Sequence, residues 1–162
     1  MASTLEGGPH NAYELEFLFS SQSRLRFPPE NLGETPEGIR LNFYREGGEI
    51  VGPRLRGHFQ PVGGDWLLVR PDGVGMVDVR GTIESDDGAL IYQTYTGVID
   101  FGPNGLEQLR AGELPAVNLS RIVPRFLTSH PDYLWLNRVQ AIGIGESRPD
   151  LGGTLYDVYQ IR

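Results

Sequence analysis

The sequence predicts an all-β chain: a closed antiparallel β-barrel of about 8–10 strands with at most one short helix. Three observations carry that prediction. Segments of alternating apolar and polar residues recur along the chain. Turn signals such as Pro71-Asp72-Gly73 and Asp86-Asp87-Gly88 separate them at intervals of about 8 to 15 residues. Gly and Pro, 22 and 12 of 162 residues, supply many chain reversals.

Residues 1–11 are small and polar, with Gly7-Gly8-Pro9 among them, and are predicted to form a loose N-terminal tail. Residues 12–162 are read as a single barrel domain, since neither a linker nor an internal repeat divides them. Tyr13 to Ser21 reads as a strand with Tyr13, Leu15, Phe17 and Phe19 on one face. Arg26 to Gly38 is a Pro- and Gly-rich loop. Ile39 to Glu46 alternates Ile39, Leu41 and Phe43 against Arg40, Asn42 and Tyr44, and Gly47-Gly48 reads as the turn after it. From Ile50 to Phe101 one strand follows another, broken at Gly52-Pro53, at Pro61 to Gly64 and at the two Asp-Gly turns. Gly102 to Pro115 is the helical candidate: Leu106 and Leu109 share a face, Asn104 is placed to cap it, and Gly112 to stop it. A long strand is predicted from Asp132 to Pro149 and a closing strand from Thr154 to Arg162, with Leu155, Asp157, Tyr159 and Ile161 on one face.

Composition narrows the function. A formal charge of −7 and a pI near 4.9 are the wrong sign for a protein that binds nucleic acid or an anionic membrane. With no cysteine, thiolate chemistry, disulfides and Cys-based metal sites are excluded. His10, His58 and His130 show no paired ligand spacing, so no metal site is expected. The chain has no phosphate-binding glycine motif and no nucleophile elbow, and no cofactor is expected. Met1-Ala2-Ser3-Thr4 opens no apolar signal segment, and the expected location is cytoplasmic. Strand edges make a homodimer an available assembly.

The residues left for chemistry are carboxylates, phenols and guanidinium groups. Met76, Asp78, Arg80 and Thr82 share one face of a predicted strand; Val77, Val79 and Ile83 share the other, with Gly81 among them. Two readings follow. The polar face is solvated, or it lines a small-molecule cavity in which Asp78 and Arg80 pair with each other or with a ligand. The second is the expectation adopted. Asp65, after two glycines at a strand mouth, is the other acid/base candidate, with Trp66 as a stacking wall. Tyr92 and Thr94 share one face, and Tyr133, Trp135 and Asn137 another; with Arg125 these are the substrate-binding candidates.

"GPRLRG", "GGDWLLVRPDG", "DDGALIY", "PRF" and "YLWLNRVQAIGIGE", in that order, resemble the UPF0311 family, also called the DUF3237 domain, from about Gly33 to Arg162. The resemblance implies a compact barrel similar to lipocalin and allene-oxide-cyclase barrels. It implies family-like polar positions at Asp65, Trp66, Arg70, Asp72, Asp78, Arg80, Asp87, Tyr92, Arg125, Trp135 and Asn137. The chain departs from the pattern at Gly81, where relatives carry an aromatic residue, and at Gln93 to Gly97, where they carry arginines. These departures predict a roomier site that favours a neutral or phenolic ligand over an acidic one.

Two functions fit. One is a cofactor-independent acid/base enzyme of isomerase, cyclase or hydro-lyase type, acting on a hydrophobic, oxygenated small molecule inside the barrel, as in natural-product biosynthesis. Asp65 or Asp78 would move the proton and Arg80 would hold a ligand oxygen. The alternative is a non-catalytic carrier or sensor with the same pocket.

Overall fold

The computed structural model describes residues 7–113 and 115–162, so the predicted tail falls partly outside the described residues. Among the described residues ten strands form one sheet: β1 (Leu15–Leu25), β2 (Glu30–Thr35), β3 (Gly38–Val51), β4 (Gly57–Phe59), β5 (Gly64–Val69), β6 (Val74–Ser85), β7 (Leu90–Asp100), β8 (Asn118–Leu127), β9 (Gln140–Arg148) and β10 (Gly153–Ile161). One α-helix, α1 (Gly105–Arg110), lies between β7 and β8. Eight strands close a ring in the order β1-β10-β9-β8-β7-β6-β5-β3 and back to β1, every neighbour antiparallel. The long β3 makes closure possible. One edge of it pairs first with β2 and then with β1, and the other first with β5 and then with β4.

Closure leaves one inward face, and alternation fills it. Val77, Val79 and Ile83 of β6, Ile91, Tyr95 and Ile99 of β7, and Ile122 and Phe126 of β8 are all buried. Each such side chain taken out of water contributes about 1.5–3 kcal/mol. The two Asp-Gly turns form as predicted: Gly73 and Gly88 take φ of +82° and +88°, and Arg70 and Ser85 N–H donate to the Val74 and Ala89 carbonyls across them. Gly112, at φ +75°, follows α1; Asn104 holds the N-cap position without a side-chain hydrogen bond.

Four local expectations are corrected. A bulge between Phe17 and Phe19 breaks the alternation of β1, so Leu18 and Phe19 are both buried while Leu15 and Phe17 face out. Gly47 and Gly48 are no turn: β3 runs through them at φ +138° and +143°. A Cβ on Gly48 would lie 2.2 Å from the Gln22 carbonyl oxygen of β1, so the missing side chain lets β3 seat against β1 where the ring closes. Asp132 to Pro149 is not one strand. Pro131–Arg138 is a 3-10 helix, begun by Pro131 and by the His130 ring accepting from Asp132 N–H, and β9 starts only at Gln140. Arg26 to Gly38 is not all loop: it carries β2, paired with β3. In β10 the predicted shared face of Leu155, Asp157, Tyr159 and Ile161 holds and points outward, and Tyr156, Val158 and Gln160 are the buried set.

The 3-10 helix follows β8 and covers one end of the barrel, with Leu136 buried and Tyr133 and Trp135 packed on the core. No helix of the described residues is long and apolar enough to cross a membrane.

Candidate active site

The other end of the barrel holds a cavity. Leu25, Phe27, Phe43, Leu67, Val79, Ile99 and Phe101 form its apolar walls, and Arg45, Asp65, Tyr95 and Tyr156 are among its polar groups. The space between its walls, open solvent at the mouth included, is about 610 Å3, and only about 30 Å3 would take the centre of a water molecule. That is a tight slot with room for about two or three waters. Phe27 stands at the mouth, 39% exposed, with its ring edge-on to Phe43 at 5.5 Å.

Asp65 reaches this cavity through an interruption in the sheet. β5 and β6 pair Gly64 with Arg80 and Asp65 with Val79, and pairing resumes at Leu68 with Met76. Between those points the freed backbone groups find side chains. Asp78 N–H donates to Asp65 Oδ1 at 3.1 Å, and the Trp66 carbonyl accepts from Arg40 Nη1 at 2.9 Å. Asp65 is half-buried and lines the cavity. Desolvation pushes its carboxyl up to about 7. The hydrogen bond from Asp78 N–H and the Arg45 guanidinium pull the other way, and the Asp78 carboxylate adds to the rise. A carboxylic acid poised near neutral pH can both take and give a proton there.

Arg45, from β3, is 4% exposed and lies with its guanidinium carbon 4.1 Å from the centroid of the Phe59 ring. Tyr95 of β7 and Tyr156 of β10 meet edge to face at 6.0 Å. Burial pushes Tyr95 up to about 12, against the pull of Arg45, and raises Tyr156 as well. Tyr156 also shares a 2.8 Å hydrogen bond with buried Ser120. Both phenols therefore stay protonated at neutral pH and can donate to an oxygen.

Of the predicted site residues the structure brings Asp65 alone to this cavity. The expectation that the polar face of Gly75 to Ile83 lines a pocket is overturned: Val77, Val79 and Ile83 point in, and Asp78 and Arg80 point out. Their side chains are 47% and 53% exposed and pair with each other at 3.2 Å. Val77, Val79 and Ile83 supply the apolar contacts of the core, and the outward face leaves the Asp78–Arg80 pair in solvent, where its charges stay hydrated. Trp66, Tyr92, Thr94 and Arg125 also lie on the outer face. Tyr133, Trp135 and Asn137 sit on the 3-10 helix at the far end and do not share a face. Tyr133 donates to Asp87, Trp135 lies under Arg54, and Asn137 brackets the Thr128 backbone. The altered Gln93 to Gly97 stretch splits: Thr94 and Thr96 face away from the cavity, and Tyr95 faces in.

Replacing Arg80 with Ala is expected to change stability by no more than about 0.5 kcal/mol, as for other exposed ion pairs. Urea unfolding measures it, and a loss above about 2 kcal/mol would mean that this face is buried.

The arginine and the tyrosines were missed, although the sequence holds their signal. Arg45 continues the parity of Leu41 and Phe43, Tyr95 that of Ile91, and Tyr156 that of Val158. Polar residues in register with a buried apolar series mark the lining of a barrel.

The model of the family described as "Protein of unknown function (DUF3237)" matches residues 13–161. A UPF0311 protein of Rhodopseudomonas palustris is 32% identical over 151 residues, covering 91% of this chain and 96% of its own. The crystal structure of a beta-barrel like protein from Acinetobacter baumannii superposes with a TM-score of 0.80 at 31% identity, covering 97% of this chain and all of that one. The crystal structure of an enzyme from Penicillium herquei shares the fold, with a TM-score of 0.71 at 24% identity, covering 96% of this chain and 99% of that one.

Proposed function

The chain belongs to the DUF3237 family, and on that footing we propose that it is a cofactor-independent acid/base enzyme acting on a hydrophobic, oxygenated small molecule held inside the barrel. One observation carries this reading: a single carboxyl, poised near neutral pH, lies at an apolar cavity beside protonated phenols. The Penicillium herquei barrel supports it at the level of fold, as that protein is described as an enzyme.

Asp65 takes a proton from the substrate and returns it elsewhere on the same skeleton, while the Tyr95 hydroxyl donates to the oxygen on which charge develops. Proton removal and return isomerise or cyclise the molecule; departure of a hydroxyl with the proton from Asp65 gives a hydro-lyase. The ligand enters past Phe27, whose exposed ring swings aside to widen the slot.

The test is mass spectrometry of enones, phenols and polyketide-like or terpenoid-like compounds incubated with the protein. A product of unchanged mass and new retention time, or one that differs by a water, supports the proposal. Retention of a compound without conversion across the panel overturns it in favour of a carrier.

A further inference from the structure

Arg45 has more hydrogen-bonding capacity than its surroundings use. Its Nε and Nη1 are buried and have no hydrogen-bond partner among the described residues; the Tyr95 hydroxyl and the Asp65 carboxyl are its polar neighbours. Phe59 covers its guanidinium and offers no lone pair. Nη1 fits there because residue 81 is glycine: a Cβ at 81 would lie 2.3 Å from that nitrogen. Gln93, directly opposite Gly81 on β7, is 2% exposed, and its Oε1 is likewise without a partner. A buried cation with idle donors is unfavourable until an acceptor, ideally an anion, reaches it. Arg45 lines the same cavity as Asp65, so that acceptor can arrive with the substrate.

We propose that Arg45, in the space left by Gly81, is the receptor for an oxyanion of the ligand, and that the ligand class is a weak O–H acid such as an enolised 1,3-dicarbonyl compound. This deepens the reading of the cavity given above and rests on it. A carboxylate ligand would have to carry its charge past Leu25, Phe27, Phe43 and Phe101 and meet Asp65 inside. A weak O–H acid enters neutral. Its O–H bond breaks, the proton forms a new O–H bond on the Asp65 carboxylate, and the negative charge moves to the ligand oxygen, where Arg45 receives it. The net charge of the cavity is unchanged.

The experiment uses 1-phenylbutane-1,3-dione, whose enolate absorbs at longer wavelength than its enol, and the 2,2-dimethyl analogue, which cannot enolise. Both are titrated into the intact protein at a pH where the free probe is mostly neutral. The wild type is expected to bind the first with an enolate band and the second at least about tenfold more weakly, with none. Arg45→Met is expected to lose the band and about tenfold in affinity. If that variant does not fold, Gly81→Ala tests the same contact, since its methyl displaces Nη1; it is expected to weaken the band. Absence of binding or of the band in the wild type, or an unchanged band in the folded variants, overturns the proposal. Turnover is not the readout. A protein that ionises the probe yet converts no compound of the panel loses the enzyme reading and keeps this one; one that converts compounds without ionising the probe does the reverse.

Discussion

Asp65→Asn is expected to lower turnover by a factor of roughly 10²–10⁴ while the barrel stays folded. Asparagine keeps an oxygen for Asp78 N–H, so the opening between β5 and β6 remains satisfied. What is lost is the proton. The same variant changes the pH dependence of stability with a definite sign. The carboxyl ionises near its ordinary 3.8 in the unfolded chain and at about 7 in the folded one. Between those values the native state holds a proton that the unfolded state has released. The contribution of Asp65 to stability is therefore complete below pH 4, declines as pH rises toward 7, and is flat above. The whole difference is on the order of 4 kcal/mol. Relative to Asp65→Asn, the wild type is expected to lose about 2–3 kcal/mol between pH 5 and pH 8. Urea unfolding of both proteins at the two pH values measures it, and a constant difference between them would make Asp65 an ordinary carboxylate.

The second large effect concerns the seam of the barrel. Gly48→Ala is expected to cost about 3 kcal/mol or more, a large part of the stability of a chain this size. Two costs combine. A φ of +143° strains any L residue, and the new methyl meets the Gln22 carbonyl at 2.2 Å and Ser23 Cα at 2.7 Å. Those are backbone atoms, which move only if β1 and β3 part. Gly88→Ala separates the two costs: its φ is +88°, and nothing lies within 4 Å of the added Cβ. It is expected to lose about 1 kcal/mol, from backbone strain alone. Equal losses at the two positions would show that β1 yields to the methyl without resistance.

The fold was legible because alternation and turn chemistry are local. Pro71-Asp72-Gly73 and Asp86-Asp87-Gly88 specify their turns whatever lies beyond them. Gly47-Gly48 shows the limit: the same residue type serves a turn or a close strand crossing, and only the presence of β1 distinguishes them. The site was less legible for a related reason. Period two states which side chains of β6 share a face, not which face is inside. Asp78 and Arg80 on one face read as a pair lining a cavity, although Val77, Val79 and Ile83 on the other offer a core. The choice between faces is made by β3 and β7, and through them by the whole ring. Asp65 was found because it follows a break in the chain, where a carboxylate attracts notice. Arg45 and Tyr95 lie mid-strand, where a polar residue reads as one more member of the pattern.

The interruption between β5 and β6 also gives the cavity a spectroscopic window. Asp78 N–H belongs to a residue whose side chain stands in solvent, while its hydrogen-bond acceptor is the acid at the interior site. When that acid gains or loses its proton, the acceptor strength felt by this one amide changes, and its proton and nitrogen resonances shift with it. The amide of Asp78 is thus a built-in reporter. Followed across pH in a labelled sample, its resonance is expected to titrate with a midpoint at about 7, and to move again when a ligand takes or supplies the proton inside.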